Sequence, residues 1–434
     1  MDCSTLFQTG TQAAKNGDFK QAIALLTRSL SENPAQPECA YNLAACYQSI
    51  DETAQAILYL QKAIEQNPHY VSALFTLGQF AQRQEEYTNA IQYYHRILSI
   101  DPEHALTHYH LGLLQLKKNP AQSYFHFKKA IPYEPFTAEA YYHLGVCEHQ
   151  NKNLTQALYF YEQAIEINPL YFEAMYNIAS IYQKKSDIQN AIVYYTKALK
   201  IKPDHQTVAF LLTCLQQKNT PEQAPRDYIE SLFDHYADFF EEELVDQLNY
   251  KTPHQLFEIF INTTKNKENL ESILDLGCGT GLSGLPFSKI TKNLIGVDLS
   301  ENMLKKAVLK NIYTELVKTD VCSALKNFID QDLIIASDVF VYIGNLENVF
   351  RDSKQTLKKN GLFIFSVELL ELDQNTVHHL DYKLDTSGRY QHHVGYIQTI
   401  SEQYGYTILH FSKTMIRTQK GEPVLGGIFL LLNN

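Results

Sequence analysis

The 434-residue sequence predicts two folds in series, an all-α solenoid of stacked helix pairs and then an α/β domain on a largely parallel sheet. Three observations predict this. Pro34, Pro68, Pro102, Pro135, Pro169 and Pro203 recur at spacings of 34, 34, 33, 34 and 34 residues, the mark of one supersecondary unit repeated along the chain. From residue 272 onward, short apolar runs alternate with helical patterns, as parallel strands joined by helices require. At the start of that region "SILDLGCGTGLSG" places Gly277, Gly279 and Gly281 behind an apolar run and Asp275. Glycines there suit a strand-to-helix turn, because residues without a Cβ let a nucleotide-like ligand approach the main chain and the helix N-terminus.

The repeats are justified slot by slot. Leu43, Leu77, Leu111, Leu144 and Ile178 occupy one position of a first helix, with Gly78, Gly112 and Gly145 directly after three of them. Ala22, Ala56, Ala90, Ala157 and Ala191 mark a close crossing in the second helix, and each proline stops that helix before the next unit. Repeat four has Ser123 in the alanine slot and is one residue short, which predicts a distorted turn between its helices. An aromatic stands at the fifth position of every first helix: Phe7, Tyr41, Phe75, Tyr109, Tyr142 and Tyr176. This column reads either as a grip for an extended partner segment or as packing of the inner wall. The helix "QTVAFLLTCLQQK" would cap the stack, so residues 1–220 form the first domain, six repeats plus a cap.

Residues 221–265 read as a linker and acidic amphipathic helices. "QQKNTPEQAP" is polar with two prolines, and residues 226–250 hold eight acids against one base. Ile229, Leu232, Phe233, Tyr236, Phe240 and Leu244 recur at helical spacing there, so one stripe packs while the carboxylates face water. Tyr236 and Phe240 are candidates to cover a ligand.

In the third domain, residues 266–434, "SILDL" is a first strand and "NLIGVD" a second that ends in Asp298. An acid at this place suits the two hydroxyls of a ribose, although Asp298 would also cap the helix "SENMLKKAV". Asp320 ends a third strand. A fourth, "DLIIASDVFVY", points Ser337, Asp338, Val339 and Tyr342 at the edge where open α/β sheets bind ligands. A helix ending "LKKN" with Gly361 as its stop precedes the fifth strand, "GLFIFSVE", and "YTILHFSKTMI" and "GGIFLLLN" complete the sheet. The polar segment "TSGRYQHH" reads as a loop with candidate acceptor-side residues: Arg389 for a carboxylate, Tyr390 on the substrate side, His392 as a general base. Glu368 stands with them.

The repeat pattern resembles the tetratricopeptide repeat. Acid-x-Gly-x-Gly-x-Gly resembles the first motif of class I S-adenosylmethionine-dependent methyltransferases. With "LFDHYADFFEEELVDQLNYKTP", "SDVFVYIGNLENVF", "FSVE" and "SGRYQHHVGYI", the chain resembles a bacterial family of predicted methyltransferases with N-terminal tetratricopeptide repeats. The resemblance implies a Rossmann-like, seven-stranded sheet with an antiparallel final strand and S-adenosyl-L-methionine as cofactor. It carries over cofactor contacts to Asp275, Gly277, Gly279, Gly281, Asp298 and Asp320, with Val321 along the adenine ring and Ser337 near the methyl group; Met303 reads either as cover for the other adenine face or, at its helical spacing, as core. Asp338, Tyr342 and His392 are the catalytic candidates, and Tyr236, Arg389 and Tyr390 the substrate candidates. No metal is implied. The acceptor is expected to be a small molecule or a protein side chain, with a protein partner in the repeat groove. The rival reading is an adaptor whose second domain binds cofactor without turnover.

Composition narrows the setting. A net charge of −11 disfavours nucleic acid, whose phosphates reward the opposite sign. Seven cysteines without a C-x-x-C pair point away from disulfides and zinc sites. No leader pattern or membrane-length apolar run is present, so a cytoplasmic protein is expected.

Overall fold

A computed structural model of the chain describes residues 1–131, 137–218, 220–242, 250–265, 269–371, 380–419 and 422–434. Pro135 of the repeat spacing and Leu244 of the acidic stripe lie outside the described residues. Two compact units make up the chain, Met1–Asp187 and Ile188–Asn434.

The first unit is a run of helices: α1 (Cys3–Lys15), α2 (Phe19–Glu32), α3 (Pro37–Ser49), α4 (Thr53–Gln66), α5 (Val71–Arg83), α6 (Tyr87–Ile100), α7 (Ala105–Gln115), α8 (Pro120–Ala130), α9 (Thr137–Gln150), α10 (Leu154–Ile167) and α11 (Phe172–Lys184). Small residues set the approach of each pair. A Cβ on Gly78 would lie 2.5 Å from the ring of Tyr94, and one on Gly145 2.6 Å from that of Tyr161, so each glycine seats a fully buried aromatic of the partner helix. Asn33, Asn67, Asp101 and Asn168, each directly before a proline of the spacing, accept a backbone N–H two residues on, at 3.0 to 3.2 Å, an Asx turn that ends four of the repeats. In repeat four the Ser123 hydroxyl donates to the carbonyl of Gly112 at 2.8 Å, and α7 and α8 shorten to 11 residues each. The aromatic column packs on neighbouring rings, Tyr41 on Tyr70 at 5.2 Å and Tyr142 on Tyr171 at 5.0 Å, which favours its reading as inner-wall packing.

The second unit opens with α12 (Ile188–Ile201), α13 (Gln206–Gln216), α14 (Arg226–Tyr236) and α15 (Thr252–Thr264). Then strands and helices alternate: β1 (Leu270–Leu276), β2 (Thr291–Asp298), α16 (Glu301–Val308), β3 (Glu315–Lys318), α17 (Val321–Asn327), β4 (Gln331–Ala336), α18 (Glu347–Thr356) and β5 (Leu357–Leu369). The chain closes with β6 (Tyr382–Leu384), β7 (Tyr390–His392), α19 (Val394–Gln403), β8 (Tyr406–Gln419) and β9 (Glu422–Asn433). Strands β3, β2, β1, β4 and β5 are parallel neighbours in that order; β9 runs antiparallel on β5, and β8 antiparallel on β9. These are the seven expected strands with their reversed last one. Among the described residues the sheet has nine, because "TSGRYQHH" is the turn and second strand of a hairpin rather than a loop, and β7 joins β5 at Glu368 and Leu369.

Both sheet faces are covered, which explains why the strands read as continuous apolar runs. Leu274, Phe363 and Phe365 meet α18 and α19 on one face, while Ile273, Leu333 and Ile364 meet α15 on the other. Two local expectations fail. Residues 277–289 form successive turns instead of a helix, since Gly281, Gly284 and Pro286 each weaken a helix there. "LKKN" belongs to β5, where Asn360 adopts φ +61° and Lys358 pairs with Asp332 at 2.9 Å.

Candidate functional site

The site is built where β1, β2 and β4 end. Gly277 and Gly279 have φ of +62° and +55°, conformations that other residues adopt only with strain. A Cβ on Gly277 would meet Val339 at 2.7 Å, whereas one on Gly279, which lines the cavity, would have among the described residues only Phe240 within reach, at 3.8 Å. Asp298 turns back onto this loop: its carboxylate accepts the Gly279 N–H at 2.9 Å and the Ser300 N–H at 2.8 Å. Ser300, not Asp298, caps α16, its hydroxyl accepting the Met303 N–H at 3.1 Å. That leaves Asp298 lone pairs for a ligand in the cavity it lines. Burial raises its carboxyl above the ordinary range, against the N–H groups of Ser300 and Gly279.

The cavity measures about 370 Å³. Gly277, Gly279, Asp298, Asp320 and Val321 all line it. Asp320 also caps α17 by accepting the Ser323 N–H at 2.9 Å. Ser337, Asp338, Tyr342 and Arg389 line the same cavity. Asp338 has φ +56°, a strained conformation for a residue with a side chain. It is held by reciprocal bonds with Ser366: its N–H donates to the serine oxygen at 2.9 Å, and the serine hydroxyl donates to its carboxylate at 3.0 Å. Burial raises the Asp338 carboxyl, while Arg417 and Arg389 oppose that shift.

Six candidates are placed elsewhere. Asp275 is fully buried behind the glycine turn and accepts the hydroxyls of Ser283 and Tyr313, each at 2.7 Å, so it braces the turn. A Cβ on Gly281 would meet Tyr313 and Lys310, outside the cavity. Met303 is fully buried on the inner face of α16. His392 is fully buried, with Nε2 at 2.9 Å from the Ile343 carbonyl and 3.1 Å from that of Gly344; donation there fixes its tautomer, and burial lowers its pKa to about 4. It is a structural donor and not a base for this cavity. Tyr390, also fully buried, donates to the Pro221 carbonyl at 2.8 Å. Tyr236 is exposed; Phe233 and Phe240 of the same segment are the rings that line the cavity.

The acidic segment differs from its expected solvated state. Glu230 pairs with Lys318 at 2.7 Å, Asp238 with Lys306 at 2.9 Å and Glu241 with Lys310 at 2.7 Å. Asp234 accepts the Ser300 hydroxyl and, at 3.3 Å, the Asn302 N–H. These contacts fasten the segment beside the glycine turn. The residues read as linker are likewise tied down: the Ala224 N–H donates to the Tyr342 carbonyl at 2.9 Å, and that of Gly344 to Glu222 at 2.7 Å.

Sequence reasoning missed Arg417 and Tyr250. Tyr250 lines the cavity and lies 2.8 Å from the Ser337 hydroxyl. Arg417 lines it as well, at 2% exposure, because β8 has an irregular register between Met415 and Arg417 that turns both Ile416 and Arg417 inward. Nothing local marked it: Arg417 follows directly on "YTILHFSKTMI", a strand that already carries His410 and Lys413.

Comparison with known proteins finds matches in both parts of the chain. A family described as "Methyltransferase domain" matches residues 274–365, and families described as "Tetratricopeptide repeat" match 13–77, 50–105, 138–171 and 172–205. The biotin biosynthesis bifunctional protein BioHC of Saccharophagus degradans is 32% identical over 103 residues, 23% of this chain and 18% of that protein. The malonyl-[acyl-carrier protein] O-methyltransferase of Bacillus cereus is 29% identical over 119 residues, 27% of this chain and 44% of that one. The chain spans between 18% and 56% of the length of the first three curated relatives it matches. The crystal structure of YrrB, a TPR protein with an unusual peptide-binding site, is 24% identical, with a TM-score of 0.39 over 42% of this chain and 95% of that one. The chain therefore carries tetratricopeptide repeats in its N-terminal region and a class I methyltransferase domain in its C-terminal region.

Proposed function

We propose that the chain transfers a methyl group from S-adenosyl-L-methionine to a small molecule or a protein side chain, and that its repeats hold a protein partner. The observation that carries this reading is Asp298 facing a cavity while bonded to the N–H of Gly279, which lines the same cavity. The donor set fits the cofactor: a carboxylate with spare lone pairs for two ribose hydroxyls, Asp320 and Val321 for the base, and a glycine surface for the rest. When bound, the cofactor supplies an electrophilic methyl group on a sulfonium.

The chain's own residues then have three tasks. Gly277, Gly279 and Asp298 fix orientation, on which in-line displacement depends. Phe233, Phe240 and Val339 exclude water from the cavity they line. Asp338 accepts a proton where the acceptor must lose one, and burial, which raises its carboxyl, makes it the stronger base. A cavity of about 370 Å³ lies at the lower end of ligand-site volumes, which supports an acceptor that inserts only a small group beside the cofactor.

Methyl tracing tests the proposal. The purified chain is incubated with methyl-labelled S-adenosylmethionine and lysate from cells lacking it, with Asp298→Ala as control, and protein, nucleic-acid and small-molecule fractions are separated. Label in one fraction, absent with the variant, establishes turnover and names the acceptor class. Cofactor binding without transfer favours the adaptor reading.

A further inference from the structure

One end of the cavity carries charge that the cofactor contacts do not use. Arg389 follows the turn of the β6–β7 hairpin, and Arg417 is delivered by the irregular register of β8. Both line the cavity and both reach Glu368 near the end of β5, Arg417 through a short contact and Arg389 at 3.5 Å. Arg417 also lies 3.7 Å from Asp338, whose carboxylate takes its hydrogen bond from Ser366 instead.

The two guanidiniums are unequally served. Arg417 is almost fully buried between Glu368 and Asp338. Arg389 makes one hydrogen bond among the described residues, at the long limit for such a bond, to a carboxylate that Arg417 already engages. A guanidinium has five donors in a fixed plane, so most of those on Arg389 are left for whatever enters the cavity. Planar two-oxygen anions match that fork. A dianion would add charge against Asp338 and Glu368, and an ammonium would have to approach two guanidiniums, so a single negative charge fits best. Ile229, Val341 and Ile343 wall the same cavity and suit an apolar body.

We infer that the methyl acceptor carries a carboxylate on an apolar body, and that Arg389 selects it by binding that carboxylate while Arg417 positions Glu368 and Asp338. This rests on the methyltransferase reading above and adds the acceptor class to it.

The test is calorimetry on the full chain saturated with S-adenosylhomocysteine, titrated with four probes of similar shape: benzoate, benzyl alcohol, benzylamine and phenyl phosphate. Benzoate is expected to bind most tightly. Arg389→Gln should weaken it at least tenfold, and Arg389→Lys, which keeps the charge but not the fork, should weaken it less. Uptake of S-adenosylhomocysteine by each variant reports that it is folded, and the lysine variant keeps the test readable if the glutamine variant is not. Tightest binding of any other probe, no binding of benzoate, or equal benzoate affinity in Arg389→Gln overturns the inference alone. No uptake of S-adenosylhomocysteine by the unchanged chain removes the methyltransferase reading and this inference with it.

Discussion

Asp275 is fully buried and Asp298 half-buried, both near strand ends, and their partners give them different work. Asp298 faces the cavity with bonds only from backbone N–H groups, so its loss removes charge-assisted bonds worth roughly 1.5 to 3 kcal/mol each. Asp298→Ala should therefore weaken S-adenosylhomocysteine binding by at least about tenfold in calorimetry. Asp275 faces no solvent, and burial raises its carboxyl to about 7 despite the hydroxyls of Ser283 and Tyr313. The sign follows from the unfolded chain, where an aspartate ionises near about pH 4. Below that pH both states hold the proton and the folded state bears no penalty. Between about 4 and 7 the unfolded state ionises first, so stability falls as pH rises, by an amount on the order of a few kcal/mol. Asp275→Asn should therefore flatten the decline in unfolding temperature of the C-terminal unit between pH 5 and pH 8. Equal declines in the two chains would show that Asp275 does not titrate there.

At the scale of elements, the acidic segment and the β6–β7 hairpin shape the cavity from two sides. The segment's ion pairs are partly exposed, and each alone contributes little. Together they hold Phe233 and Phe240 at the cavity. Lys318→Glu should repel Glu230 and speed S-adenosylhomocysteine release severalfold at low salt. The exchanged pair Glu230→Lys with Lys318→Glu should restore the rate, and about 1 M salt should erase the difference. Release rates indifferent to the reversal would mean that the segment does not retain the cofactor. The hairpin acts differently, burying Tyr390 and His392 as its supports and leaving Arg389 at the cavity.

On the scale of the whole molecule, the compact units divide at Asp187, ahead of the segment read as a linker. Phe210 and Cys214 of α13 pack in one cluster with Val341, Tyr342 and Tyr390. Removing residues 1–220 would strip that cluster, whereas removing 1–187 would leave it intact. A chain beginning at Ile188 should keep its affinity for S-adenosylhomocysteine, and one beginning at residue 221 should unfold at lower temperature and bind more weakly. If methyl tracing yields a protein acceptor, the Ile188 chain should lose transfer to it; a small-molecule acceptor should still be methylated.

The sequence by itself determined the helix pairs, the glycine turn with Asp298 behind it, and the order of the main strands. Periodicity, Asx-Pro endings and left-handed glycines act within a few residues, so they are legible in order along the chain. Gly277 and Gly279 lie at the cavity because a local turn puts them there. Only the tertiary structure decided which distant side chains join them. Arg417 arrives through an irregularity in strand register, Tyr250 through contact with Ser337, and His392 is withdrawn because its strand pairs behind the site. For Tyr250 and His392 the deciding contact joins residues dozens of positions apart, and for Arg417 it is the pairing of β8 with β9; register and packing, rather than local propensity, set the direction of each side chain.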